Sequence, residues 1–168
     1  MNANKFNKWN KILASIAFLI ALITYSLTVE PTASYWDCAE YISTSAKLQI
    51  GHPPGAPLFQ MLGAFFSSFS TDFDKIALTV NMMSVIASAL TILFLFLTIT
   101  IIGKKILIKD SKFTNSNTAL ILSSSLLGSL CFTFSDSFWF NAVEAEVYAM
   151  ATMIMALLFW LGFKWEEN

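Results

Sequence analysis

Carboxylates gather at two places where this chain is otherwise strongly apolar. The first is Ser34-Tyr35-Trp36-Asp37-Cys38-Ala39-Glu40-Tyr41, followed closely by Gly51-His52-Pro53-Pro54-Gly55. Asp37 and Glu40 are three residues apart and share a face of any helix that holds them both. The second is Asn141-Ala142-Val143-Glu144-Ala145-Glu146-Val147-Tyr148. A carboxylate within hydrogen-bond reach of a hydroxyl can act as its general base. An Asp with an ordinary pKa of about 3.9 needs burial or a second carboxylate to be poised for that work, and Glu40 is spaced to supply the charge. A divalent metal held by Asp37, Glu40 and Glu146 is the alternative use of these hard oxygens, although no dedicated ligand motif accompanies them. A purely structural reading stays open too, in which the acids only mark one side of a membrane protein. If the helix has already begun, Glu144 and Glu146 point about 200° apart, so one of them is expected to be solvated and Glu144→Gln to be nearly silent; the alternative is that both simply end the loop before the fourth span.

The elements that must position these groups are membrane spans. Of 168 residues, 56% are hydrophobic and 12% charged, against about 25% charged in soluble domains. Four runs carry no charge: Ile12 to Val29, Ile76 to Gly103, Phe113 to Ser135 and Val147 to Phe163. Each is near or above the roughly 17–20 residues a spanning helix needs. The expected fold is an all-α integral membrane protein with four transmembrane helices, at about 12–29, 76–103, 116–135 and 147–163. The loop 30–75 joins the first two. Lys5, Lys8 and Lys11 precede the first run as in a secretory leader. Its core, however, exceeds the roughly 7–15 residues of a leader, and no small-residue cleavage site follows before Tyr35, so an uncleaved anchor is expected. The net charge of −1 and the lack of a basic stripe point away from nucleic acid. Cys38 and Cys131 form neither a disulfide framework nor a metal set.

Lysines give the orientation. Lys5, Lys8, Lys11, Lys104, Lys105, Lys109, Lys112 and Lys164 all fall on one side of a four-span layout, which is expected to be the cytoplasmic side of a multi-pass cell-membrane protein. Glu30, Asp37, Glu40, Asp72, Asp74, Asp136, Glu144 and Glu146 then lie outside. This layout requires that Pro57 to Phe69 does not cross. About 13 helical residues reach roughly 20 Å, short of a hydrocarbon core of about 30 Å. Leu58, Met61, Leu62, Phe65, Phe66 and Phe69 form one stripe, with Gln60, Ser67 and Ser68 off it, as in an interfacial helix. A short tilted span is the alternative, and it would put the lysine-rich loop outside. Further expectations are a cap from Thr71 or Asp72 on the second span and a helix–helix hydrogen bond from Asn81. Ser123, Ser124, Ser125, Gly128 and Ser129 should form a close-packing face. Trp36, Trp139, Trp160 and Trp165 belong at headgroup depth.

Trp36-Asp37-x-x-Glu40, Gly51-His52-Pro53-Pro54-Gly55-x-Pro57-Leu58 and Glu146-Val147-Tyr148 resemble bacterial multi-pass proteins long known as a domain of unknown function. Through them the chain is similar to the protein O-mannosyltransferases of the GT-C membrane glycosyltransferase superfamily, over roughly residues 12 to 163. The resemblance implies a GT-C-like N-terminal module with juxtamembrane helices in an acidic first outer loop. It implies Asp37 as catalytic base, with Glu40 and Glu146 completing the catalytic acids and Trp36, His52 and Tyr148 binding substrate. It also implies a polyprenyl-phosphate sugar donor, with mannose one candidate for a sugar left open, and a hydroxyl acceptor on protein, lipid or glycan, with no cofactor required. Two departures accompany it. Arg is absent from the chain, leaving Lys47, Lys75 and His52 as the outer cations, and the superfamily has more than four spans. The expectation is therefore the N-terminal part of an enzyme, inactive by itself. The alternative is a non-catalytic membrane scaffold or assembly subunit, or a degenerate relative of the transferases. A transporter is disfavoured because no charged residue sits within a span.

Overall fold

A computed structural model of the chain describes residues 3–108 and 113–166. The expected loop lysines Lys109 and Lys112 lie outside the described residues. Within those residues every regular element is helical. In order they are α1 (Ala3–Thr28), α2 (Cys38–Lys47), α3 (Pro57–Ser67), a 3-10 turn (Phe73–Lys75), α4 (Ile76–Leu107), α5 (Asn115–Thr133), α6 (Asp136–Ala142) and α7 (Val147–Glu166). Three helices, α1, α4 with its preceding turn, and α7, are long and apolar enough to cross a bilayer. The α5–α6 pair makes a fourth if its two arms, bent by 68°, count as one span. The chain is thus an all-α membrane protein.

α4 is the axis of the bundle, with α1, α5 and α7 packed along it. In lipid there is no hydrophobic gain from helix contact, so close van der Waals packing of small residues has to hold the helices together. α1 accordingly turns Ala14, Ala17 and Ala21 inward, and α4 answers with Val85, Ala89, Ile92 and Phe96. The small-residue face expected on α5 is narrower than predicted. Ser125 and Ser129 are buried, and Thr100 of α4 donates to Ser125 at 3.2 Å, but Ser123 and Ser124 are exposed. A helix presents one stripe to its neighbour, and consecutive residues rotate about 100° off it.

α5 stops at Thr133 and the chain turns sharply into α6. The buried Tyr25 of α1 closes this corner, its hydroxyl donating to the Thr133 carbonyl at 2.8 Å. Trp139 donates its indole N–H to Thr28 at 2.9 Å. Trp160 stacks on Phe94 of α4 with centroids 5.4 Å apart.

The loop between α1 and α4 folds back onto the bundle through α2 and α3. Asn81 of α4 makes the expected helix–helix bond, its Oδ1 accepting from the Cys38 thiol of α2 at 3.9 Å. Its amide donates to the carbonyls of Glu30 (2.6 Å) and Thr32 (2.9 Å), pinning the start of this loop to α4. Neither Thr71 nor Asp72 caps α4 with its side chain; Asp72 pairs with Lys75 at 3.0 Å across the 3-10 turn. α3 spans Pro57–Ser67, with proline in its first turn where a missing N–H costs nothing. Leu58, Met61, Leu62, Phe65 and Phe69 of its stripe face away from the protein. The residues off the stripe, Phe59, Gln60 and Gly63, are the ones it buries.

Candidate active site

Asp37 stands at the threshold of α2. Trp36 before it takes the left-handed conformation (φ +63°), and the Asp37 carbonyl accepts the first helical bond from Tyr41 N–H at 2.9 Å. Glu40 follows within the first turn. Both carboxylates therefore sit at the positive end of the helix.

The other end of α2 brings His52 back to them. Leu48 adopts the left-handed conformation (φ +49°). Its N–H and that of Gln49 close onto the carbonyls of Ser45 and Thr44, the paired bonds of a Schellman turn. The chain reverses, and the His52 backbone N–H donates to Glu40 Oε1 at 2.6 Å while ring Nδ1 meets Oε2 at 2.9 Å. An ionised carboxylate only accepts, so Nδ1 carries the proton. Nε2 is thereby aimed at Asp37, 3.8 Å from its Oδ2. The Pro53-Pro54 turn is closed by Gly55 N–H to the His52 carbonyl at 2.9 Å, and Gly55 takes φ +79°, where a side chain would be strained.

α3 fixes this arrangement from behind. Gln60 donates to Thr44 of α2 at 3.1 Å, and Tyr41 packs edge-on against Phe59 at 5.2 Å. Gly63 lies so close to α2 that a Cβ there would fall 2.8 Å from Ser45 Cβ. The same Tyr41 ring is 6.2 Å from the His52 ring.

The second acid pair departs from expectation. Residues 143–146 are not helical, so the opposed directions derived for a helix do not apply. Glu144 and Glu146 are both buried, 4% and 7% exposed, and neither is solvated. Glu144 accepts a short hydrogen bond from the Ser34 hydroxyl, and Glu30 N–H donates to the Val143 carbonyl at 3.0 Å, so the two acidic loops are joined. Glu144→Gln is therefore no silent change, because it alters a buried hydrogen-bonded contact. Burial pushes both carboxyls up. The Ser34 bond opposes that rise at Glu144, and Glu144 and Asp37 add to it at Glu146.

Of the residues singled out in the sequence, Asp37, Glu40 and His52 come together, with one ligand-type atom from each lying within 4.8 Å of the others. Glu146 is near enough for its charge to act on Tyr41 and His52, and Tyr148 on Tyr41. Trp36 is 89% exposed. A cation would meet Asp37, Glu40 and His52, not the predicted set with Glu146. Since His52 already engages both Glu40 oxygens, an ion would have to draw that pair apart. Sequence reasoning missed the work of Ser34 and Gln60, and for Asn81 it gave the helix–helix bond without the loop carbonyls of Glu30 and Thr32. Their only signal was polarity beside apolar neighbours, and this does not say which distant group each one meets.

Electrostatics make a testable pair. The backbone bond from His52, then the ring bond, holds Glu40 below its ordinary 4.5, while the Glu40 bond holds His52 above its ordinary 6.5. The ion pair is complete between those shifted values and is lost as pH rises through the raised His52 value. The chain has a single histidine, so its ring resonances titrate without overlap. NMR in micelles should show a midpoint above 6.5 that falls on Glu40→Gln. An unchanged midpoint would mean that the contact does not exist in solution.

Comparison with known proteins bears on residues 37–168, which match the family model described as "Protein O-mannosyl-transferase TMEM260 N-terminal domain". The match begins at Asp37 and includes both acid clusters. Among curated proteins the chain is 29% identical over 148 residues to "Protein O-mannosyl-transferase tmem260" of Dictyostelium discoideum, covering 88% of this chain and 16% of that protein. It is 26% identical over 156 residues to "Protein O-mannosyl-transferase TMEM260" of Mus musculus, covering 93% of this chain and 19% of that protein. The chain thus spans less than a fifth of the length of these relatives. No solved structure matches it.

Proposed function

The chain belongs to the TMEM260 N-terminal-domain family of protein O-mannosyl-transferases, and from that footing we propose that it carries the acid–base part of a glycosyl-transfer site. The reading is that mannose passes from a polyprenyl-phosphate donor to a hydroxyl of a protein acceptor at the outer face of a cell membrane. The observation that carries this is the Asp37–Glu40–His52 cluster, built from the start of α2 and the loop that joins it to α3.

In the proposed step the acceptor oxygen forms a bond to the anomeric carbon. The bond from that carbon to the phosphate oxygen breaks, and its electron pair leaves with the phosphate. The acceptor's proton goes to the Asp37 carboxylate, which is half exposed and able to reach a hydroxyl. Glu40 holds His52 by two bonds and so fixes the ring that faces Asp37. As an imidazolium, His52 offers the leaving phosphate a charged partner in a chain without arginine. A cleft of about 610 Å³ lined by Glu30, Ala33, Ser34, Tyr35 and Phe140 lies beside the Ser34–Glu144 contact, and we assign it to the acceptor segment.

The lysine distribution supports an N-terminus in the cytoplasm and four crossings, the third reaching the outer face at the bend between α5 and α6. Membranes carrying the whole gene product, given mannosyl-phospho-polyprenol and a Ser/Thr-rich protein, should yield O-linked mannose. Reporters fused near Lys47 and Asp136 should read on the outer face, where the mannose appears. Correct insertion without any transfer would favour a non-catalytic scaffold, and a cytoplasmic reading at position 47 or 136 would overturn the orientation.

A further inference from the structure

At the end of the bundle opposite the acids, α1 and α7 each pack along α4 but barely touch one another. A cleft of about 380 Å³ opens between them, lined by Asn7, Asn10 and Lys11 of α1, Thr100 and Lys104 of α4, and Trp160 and Lys164 of α7. Three cationic side chains from three separate helices thus converge on one concavity, within the roughly 300–1,000 Å³ typical of small-ligand sites. A lysine bias near a membrane surface is ordinary. Convergence on one cleft between helices, whose wall also carries Phe6, Leu97 and Ile101, is the further feature, and such basic pockets suit lipid phosphates. The Asn10 amide oxygen is buried and has no hydrogen-bond partner among the described residues, a state that buried polar atoms rarely keep unless something else completes them.

We infer that this cleft binds the phosphate of one anionic phospholipid headgroup, with Lys11, Lys104 and Lys164 meeting the phosphodiester and Asn10 accepting from a headgroup hydroxyl. Phosphatidylglycerol has both features and is the probe of choice. Lipid bound there would fill the gap between α1 and α7 and tie both to α4. The inference is independent of the transfer chemistry, since the cleft shares no residue with the acid cluster.

The test uses the purified 168-residue chain in neutral detergent, titrated with phosphatidylglycerol or phosphatidylcholine and read by native mass spectrometry. One phosphatidylglycerol should bind ahead of any further lipid, and phosphatidylcholine should bind much more weakly. Each of Lys11→Gln, Lys104→Gln and Lys164→Gln should weaken that first binding about five-fold, at about 1 kcal/mol per lysine near a lipid surface. Lys104→Arg should retain it, and Lys8→Gln and Lys47→Gln, both at exposed positions outside the cleft, should change little. Circular dichroism of each variant identifies any that fail to fold, and the Arg variant then carries the comparison. Graded binding without a preferred first lipid, or equal loss from Lys8→Gln, would reduce the cleft to a general lysine belt and overturn the assignment. Full displacement of the lipid by millimolar inorganic phosphate would also overturn it, by making the ligand a soluble phosphate.

Discussion

Asp37→Asn should lower mannose transfer by the whole gene product about 10²–10⁴-fold, the usual worth of a general base, while leaving membrane insertion intact. Asparagine matches aspartate in shape, and the backbone there asks nothing special of the residue, with φ −77° and the Tyr41 bond made by the carbonyl. What disappears is an oxygen able to take a proton, together with the negative partner 3.8 Å from His52 Nε2. The loss should fall on kcat, because the proton moves only in the transition state, with KM for the donor nearly unchanged. Glu146→Gln should cost less, since Glu146 is buried and acts on the cluster by its charge. Steady-state rates at matched membrane levels measure both. A near-normal rate for Asp37→Asn would remove Asp37 from the chemistry.

Gly63→Leu should be the most damaging change outside the acids. Even a methyl group at this position would stand 2.5 Å from Ser45 Oγ and 2.8 Å from Ser45 Cβ. The second of these is anchored to the α2 backbone and cannot swing aside, so α3 has to move off α2. Overpacking of this kind costs about 1–3 kcal/mol. Here its effect on rate should exceed its effect on stability, because α2 carries Asp37 and Glu40 and a 1 Å misplacement of reacting groups can cost about 10²-fold. Transfer should fall about 100-fold with helix content retained. The His52 titration midpoint should also move, since Glu40 and His52 belong to the segment that is displaced. Unchanged transfer would show that the α2–α3 contact does not position the site.

The residues of the site were easier to read than their supports. Asp37, Glu40 and His52 announced themselves by charge beside apolar sequence, and the helical spacing of the first two held because α2 begins at Cys38. The long apolar runs declared the helices for the same reason, since a spanning segment has few ways to satisfy its backbone. The bend between α5 and α6 was not legible. Phe134 and Ser135 contain no glycine or proline, and the corner is made by Tyr25, a contact 108 residues away in sequence. The second acid pair was misread through a local assumption. Its 200° separation holds only on a helix, and residues 143–146 leave the helix to meet the first loop. Gln60 and Asn81 were judged by polarity, which marks them as unusual in apolar surroundings without giving their partners. Both turn out to hold the α1–α4 loop in place, Gln60 from within α3 and Asn81 from α4.

The central claim is that a carboxylate at position 37 takes the acceptor's proton, and chemical rescue tests it most directly. The Asp37 side chain is 53% exposed, so Asp37→Ala opens a space that a small carboxylate from solution can enter. Transfer by that variant should be deeply impaired and should rise with added formate, in proportion to its concentration and without change in donor KM. Gly63→Leu, defective in position and not in base, should gain nothing from the same additions. Formate that fails to raise the Asp37→Ala rate, or raises both variants alike, would contradict the account.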